Sequence, residues 1–206
     1  MTPLVIAHRG ASWDAPENTL AAFELAIDQG ADYVEFDVRR SGDDELVVAH
    51  DRVPGRRPSD VHTLDEVLAA LTGRIGLAVE IKEDRATERT LAALAAHALD
   101  PDAVLMLSFG ARTLDMIRRS RPDLRTVLHL GRRAGPTTAR RFWGVGLEDE
   151  AADPRRVAEA RSIGLATTVF TVNERARMRQ LVDLGVDGIF TDRPALLRAV
   201  LAQGGG

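Results

Sequence analysis

The chain contains no cysteine. Disulfides, thiolate metal sites and catalysis by a thiol are therefore excluded. Lysine is almost as scarce: Lys82 is the single one among 27 basic residues, the rest being arginine. A GC-rich genome explains that bias more simply than thermophily does, because arginine enrichment is an unreliable thermal sign. No apolar run approaches the ~20 residues that a spanning helix requires. The start, MTPLVIAHRG, has no charged segment leading into a long apolar one, so no signal peptide is expected. An excess of positive charge is also lacking. The net charge of -4 gives no reason to expect nucleic acid or an anionic membrane as partner. These absences together lead to the expectation of a soluble, cytoplasmic protein with no stable membrane association.

What remains is ample for a fold. At 206 residues and 45% apolar content, the chain suits one globular domain with a large core. No internal boundary or low-complexity segment divides 1–206, and only Gly204 to Gly206 reads as a frayed tail. Apolar strands read at 4–8, 33–38, 76–82, 103–109, 125–130, 145–149, 166–172 and 188–192. Between them, helices read at 17–29, 84–98, 111–120, 153–163, 174–184 and 194–203, with a further capping-box start at Thr63 that ends near Gly73. The 131–144 link carries only a short helix from Pro136. Eight long apolar strands alternating with helices predict a parallel sheet covered on its outer face, closed as a trimmed (β/α)₈ TIM barrel. The doubly wound sheet is the competing architecture, but no Gly-rich phosphate loop follows the first strand.

One stretch departs from the alternation. Leu46 to His50 is a short strand separated from 33–38 by only Arg39 to Glu45, with turn residues Ser41-Gly42-Asp43-Asp44 at its centre. A parallel crossover needs a dozen or more residues, so the link predicts an antiparallel hairpin, an excursion from the barrel. Folding it about Asp43 sets His50 opposite Phe36. On the first arm Glu35 and Asp37 share a face, while Val34, Phe36 and Val38 share the other. Two carboxylates on one face of an apolar strand are costly to bury without a positive charge nearby.

Active sites of such barrels lie at the C-terminal ends of the strands. The first strand ends in His8 and Arg9, the second carries Glu35 and Asp37, and the third carries Glu80 and Lys82 on one face. His50 ends the hairpin. Each has an ordinary reading taken singly: a hydrogen-bonded structural histidine, a solvated strand edge, a plain ion pair. Their convergence on one mouth is what marks a site, because stability alone does not gather seven ionisable groups there. His62 and His97 read as solvated and His129 as structural, although its place near a strand end can line the pocket. Trp13 can border the site, Trp143 reads as core, and Glu148-Asp149-Glu150 reads as solvated charge.

His8-Arg9-Gly10, Pro16-Glu17-Asn18-Thr19, Glu35-x-Asp37, His50-Asp51 and Glu80-x-Lys82, in this order and spacing, resemble the glycerophosphodiester phosphodiesterase family. Phe170-Thr171-Val172-Asn173 and Gly185 to Pro194 resemble its closing motifs, so the likeness runs from Pro3 to about Leu197. The resemblance implies a barrel hydrolase that cleaves glycerophosphodiesters to an alcohol and glycerol 3-phosphate. It implies Glu35, Asp37 and Glu80 as ligands of one divalent cation, His8 and His50 as the acid–base pair, and Arg9 and Lys82 as holders of the phosphate. Phe170 stands where the family usually has Trp, keeping a ring for the glycerol carbons but losing the indole N–H.

All-oxygen ligation favours Mg²⁺ or Ca²⁺ over zinc. Three carboxylates, one dication, Arg9 and Lys82 leave one net positive charge, which a phosphodiester monoanion neutralises. Attack by the substrate's own glycerol hydroxyl, giving a cyclic phosphate, and direct attack by water both remain open. So do the alcohol group and the oligomeric state.

The family usually carries a substantial insertion after His-Asp, whereas only Arg52 to His62 occupies that place here. A reduced lid keeps a second reading in view, a lysophospholipase D-like lipid phosphodiesterase, against which stands the lack of an amphipathic docking segment. A third reading is a barrel that binds a phosphodiester without turnover, although such copies normally lose a histidine or a carboxylate.

Overall fold

The computed structural model describes residues 2–203, so the expected glycine tail lies outside the described residues. Among the described residues nine strands form one sheet: β1 (Leu4–Ala7), β2 (Tyr33–Arg40), β3 (Leu46–Val48), β4 (Gly76–Ile81), β5 (Val104–Ser108), β6 (Arg125–Leu130), β7 (Gly144–Glu148), β8 (Ala166–Phe170) and β9 (Gly188–Thr191). All but β3 pair in parallel, in the order β1-β9-β8-β7-β6-β5-β4-β2, and a β1–β2 pairing closes the circle. The architecture is the (β/α)₈ barrel expected from the alternation. The helices α1 (Leu20–Asp28), α2 (Leu64–Leu71), α3 (Thr87–Ala96), α4 (Ala111–Ser120), α5 (Pro154–Ser162), α6 (Arg175–Leu184) and α7 (Pro194–Gln203) complete the alternation, and a 3₁₀ turn at Pro136–Ala139 replaces the helix between β6 and β7.

β3 is the antiparallel excursion. Its register pairs Val38 with Val48, Arg39 with Val47 and Arg40 with Leu46, which continued by two residues puts Phe36 opposite His50. The strand ends at Val48, so His50 sits just beyond the ladder, on a bend at the barrel mouth. The loop after it folds back onto the hairpin turn: the Gly42 N–H donates to Val53 O and Gly55 O, and Arg57 reaches Glu45 at 3.2 Å. A Cβ at Gly42 would lie 2.0 Å from Pro54 O, so only glycine admits this close approach.

Alternation along each strand builds two cores. Val34, Phe36 and Val38 face outward into the layer shared with Phe23 and Leu68, whereas Tyr33 joins Ile6, Ala78, Leu105, Leu107, Val127 and Phe190 inside the barrel. Glu35 and Asp37 continue the Tyr33 face and Glu80 continues the Ala78 face. The inward rows therefore change from apolar to acidic on approaching the C-terminal mouth.

Two expectations need correction. Glu17-Asn18-Thr19 do not form the first helical turn: Thr19 caps α1, accepting from Ala22 N–H, while Asn18 is left-handed (φ 57°) with its side chain bonded to Asp37. Trp143 is not core. It immediately precedes β7 and is 38% exposed, with the Arg125 guanidinium 5.6 Å above its ring. An aromatic just outside a strand escapes the alternation that would bury it.

Candidate active site

The turn after β1 is bent to serve the site. Arg9 adopts a left-handed conformation (φ 55°), uncommon for a side chain of its size, and Gly10 follows at φ 87°. A Cβ on Gly10 would lie 2.7 Å from the Ala22 backbone. This geometry aims the Arg9 N–H at Glu35 Oε2 (2.9 Å) and sets its guanidinium against Asp37 (Nε to Oδ2, 3.2 Å) and Glu17 (2.8 Å). Burial opposes the Arg9 charge, but Asp37 and Glu17 outweigh it and raise its pKa.

Lys82 completes the cationic pair. Its ammonium lies 3.0 Å from Asp37 Oδ1 and 2.7 Å from Glu80 Oε1. Burial pulls its pKa down, and the two carboxylates more than reverse this. A compact ammonium fits between two oxygens where a planar guanidinium fork would not, which gives the lone lysine a physical reason. Asp37 also accepts from Asn18 Nδ2 at 3.0 Å. Burial raises the Asp37 pKa, yet Lys82, Asn18 and Arg9 together hold it below the ordinary range.

Glu35 is the exception among the acids. It is 1% exposed, and burial first, then Asp37 and Glu80, push its carboxyl well above the usual range. Its Oε1 is buried with no hydrogen-bond partner among the described residues. Ligand oxygens of Glu35, Asp37 and Glu80 all lie within 4.8 Å of one another. An orphaned carboxylate oxygen within an all-oxygen cluster is a donor set that fits a hard divalent cation.

Of the three imidazoles that line the cavity, His8 and His50 are each paired with an aspartate. His8 Nδ1 lies 2.7 Å from Asp192 Oδ1, and because a carboxylate only accepts, Nδ1 carries the proton of that bond. Asp192 is itself held by Ser12 (3.0 Å) and Asn173 (2.6 Å). Burial raises the Asp192 pKa, but the bonds from His8, Asn173 and Ser12 leave it below the ordinary range. His50 Nδ1 lies 3.0 Å from the exposed Asp51, and Arg39 Nε holds the His50 carbonyl at 2.7 Å.

The cavity measures about 210 Å³. The ionisable side chains of His8, Arg9, Glu35, His50, Glu80 and Lys82 line it together with Phe109, His129, Phe170, Thr171 and Phe190. Asp37 does not line the cavity itself but is tied to Arg9 and Lys82, which do. The eight residues that the family resemblance implied for the site thus stand in or against one cavity, Phe170 included, and no residue of Arg52 to His62 lines it.

Three participants were not assigned a part from sequence. Asn18 and Asp192 lie inside the quoted motifs, and that was their only signal. His129 is 4% exposed on the inner face of β6, and burial lowers its pKa to about 4. Trp13 stays outside the cavity, 60% exposed beneath Arg193. His97 and His62 approach Asp65 (3.4 Å) and Glu66 (3.7 Å), and the 148–150 acids pair with Arg132 and Arg177.

A closed barrel with acids, cations and imidazoles gathered at its C-terminal mouth is the build of a barrel enzyme. The model of the glycerophosphoryl diester phosphodiesterase family matches residues 8–68 and 52–196. The chain belongs to this family, and it is a phosphoric diester hydrolase of the glycerophosphodiester phosphodiesterase type. It is 28% identical to a glycerophosphodiester phosphodiesterase of Bacillus subtilis, covering 96% of this chain and 86% of the relative. It is also 28% identical to one from Caldanaerobacter subterraneus over the whole of both chains. That alignment extends over 249 residues against 206 here, so the relative carries insertions this chain lacks. Among solved structures, an Oleispira antarctica phosphodiesterase in complex with the product sn-glycerol-3-phosphate superposes with a TM-score of 0.88 at 25% identity. It covers 98% of this chain and 97% of that one. Among the described residues, no helix is long and apolar enough to cross a membrane.

Proposed function

We propose that residues 1–206 form a single catalytic domain that hydrolyses glycerophosphodiesters. One water is consumed, and an alcohol and glycerol 3-phosphate leave. The observation that carries this reading is the joint placement of His8 and His50 on a cavity also lined by Glu35 and Glu80 of the carboxylate cluster. Support comes from the family match and from the relative solved with glycerol 3-phosphate.

In this reading Glu35, Asp37 and Glu80 hold one divalent cation, Mg²⁺ or Ca²⁺ by their all-oxygen character. When bound, that cation supplies Lewis-acid stabilisation of negative charge on phosphoryl oxygens. Arg9 and Lys82 orient the phosphate and meet the charge that develops on it. One imidazole takes the proton from the attacking oxygen while the other gives a proton to the departing alkoxide. Asp192 keeps His8 in the tautomer whose Nε2 faces the cavity, and Asp51 serves His50 in the same way. Phe170 packs on the glycerol carbons.

The test is a panel of glycerophosphodiesters assayed with Mg²⁺, Ca²⁺ and Mn²⁺, before and after EDTA. Chelation is expected to abolish turnover and one of the ions to restore it. Turnover that survives exhaustive chelation would remove the cation from the mechanism.

A second expectation concerns the support of His8. Asp192→Asn keeps the shape but leaves one acceptor oxygen to serve donors from His8, Ser12 and Asn173. The imidazole then loses its fixed tautomer, and kcat should fall roughly 10²-fold or more with KM little changed. Steady-state kinetics on the best substrate of the panel checks this; wild-type kcat would show that Asp192 does not govern His8.

A further inference from the structure

His129 is the buried group that the proposed chemistry leaves unused. It sits inside the barrel, 4% exposed, and neither ring nitrogen has a hydrogen-bond partner among the described residues. Leaving a buried polar group unpaired costs about 1–3 kcal/mol, so such a group calls for a reason.

The ring is held in one place from every side. Phe170 stacks on it at 4.4 Å, with 26° between the planes, and Phe109 and Phe190 meet it edge-on at 5.2 and 5.4 Å. On the neighbouring strand, Gly146 lies opposite His129 in register, and a Cβ there would come within 2.3 Å of the ring. The absence of a side chain at that position makes the room the imidazole occupies. One edge of the ring therefore faces Gly146, and Nδ1 faces Glu80, 3.7 Å from Oε2.

That separation is too long for a hydrogen bond and too short to hold a water between the two atoms. Glu80 Oε1 binds Lys82 at 2.7 Å, and Oε2 is the oxygen that approaches His129. A displacement of well under 1 Å would bring Nδ1 and Oε2 to the ~3 Å of an ordinary N–H···O bond.

We propose that His129 is a positioning residue for Glu80: it backs the carboxylate through Nδ1–H and thereby sets how tightly the acidic cluster binds its cation. This rests on the reading of Glu35, Asp37 and Glu80 as a cation site. It assigns to the aromatic cluster around His129 a share in metal affinity, through a residue that is not itself one of the three proposed ligands. Partners that orient a ligating carboxylate typically change affinity by 10–100-fold when removed.

The experiment measures binding of Mn²⁺ alone to the apoprotein, with free Mn²⁺ counted by electron paramagnetic resonance, for wild type, His129→Leu and His129→Asn. Leucine fills the aromatic box without a donor, whereas the asparagine amide can place an N–H near the Nδ1 position. Expected are a Kd about 10-fold or more weaker for His129→Leu, recovery of most of that loss in His129→Asn, and an unchanged apoprotein Tm ranking that does not follow the Kd. Wild-type affinity in His129→Leu would overturn the inference while leaving the cation site standing. Equal loss in both variants, tracking a lowered Tm, would overturn it too, by making His129 a packing residue only. A wild-type protein that binds no Mn²⁺, Mg²⁺ or Ca²⁺ would overturn the cation site itself.

Discussion

Replacing either His8 or His50 by alanine should lower kcat by roughly 10²–10⁴-fold, the range spanned by a lost general acid or base, and leave the barrel folded. The two substitutions test the same chemistry against different backgrounds. His8 immediately follows β1, and its Nδ1–H is anchored on a carboxylate that two further donors hold in place. Removing the ring leaves Asp192 still bonded to Ser12 and Asn173, so no buried charge is abandoned and the fold survives. His50 lies beyond the last pairing of β3, with a side chain 41% exposed. Its loss touches little packing, and surface substitutions of this kind usually move stability by no more than about 0.5 kcal/mol. Circular dichroism and thermal unfolding would establish that both variants are folded; kcat on the preferred glycerophosphodiester then decides. Wild-type turnover in either one would end the paired-imidazole assignment.

The second large effect concerns Glu35, and its sign is less intuitive. Burial, Asp37 and Glu80 raise the Glu35 pKa in the folded protein. Between the ordinary carboxylate value near ~4.3 and that raised value, the folded state binds more protons than the unfolded one, so stability falls as pH rises through the window. Below the window the penalty is absent; above it the penalty is complete. A divalent cation bound by the cluster reverses this, because it favours the ionised carboxylate.

Glu35→Gln should therefore keep or raise the Tm of the apoprotein at neutral pH while removing most of its response to cation. For the wild type, a cation at 100 times its Kd contributes about 2.7 kcal/mol. At ~2–4 °C per kcal/mol for a chain of this size, Tm should rise by about 5–10 °C. Activity of the variant should drop roughly 10²–10³-fold. Thermal melts with and without Mg²⁺ or Ca²⁺ across pH 5 to 8 make the check. A variant less stable than wild type without cation, yet equally stabilised by it, would contradict the argument.

Much of this was legible from local pattern. Apolar strands and helical stretches recur along the chain with their own periods, so the eight staves were readable one by one, and the Thr63 capping box stands as expected. Glu35 with Asp37, and Glu80 with Lys82, were assigned to one face by parity alone, and the inward rows bear this out. Asn18 shows where such reading stops: the helical signal around it was real, but the residue is spent on Asp37, nineteen positions away. Trp143 shows the converse, a large ring placed in the core by composition and left on the rim by its position one residue ahead of a strand.

Residue order by itself determined the barrel, the hairpin register and the identity of the seven ionisable groups, because periodicity and turn chemistry act over a few neighbours. Only the closed structure decided which of those groups face one another, since β1 meets β9 and β2 at the seam where the sheet completes its circle. That closure brings Asp192 to His8 across 184 positions. It also brings His129 to within 3.7 Å of Glu80, on a stave that β5 separates from β4. Contacts of that range depend on the curvature of the whole sheet, and no local stretch of sequence encodes it.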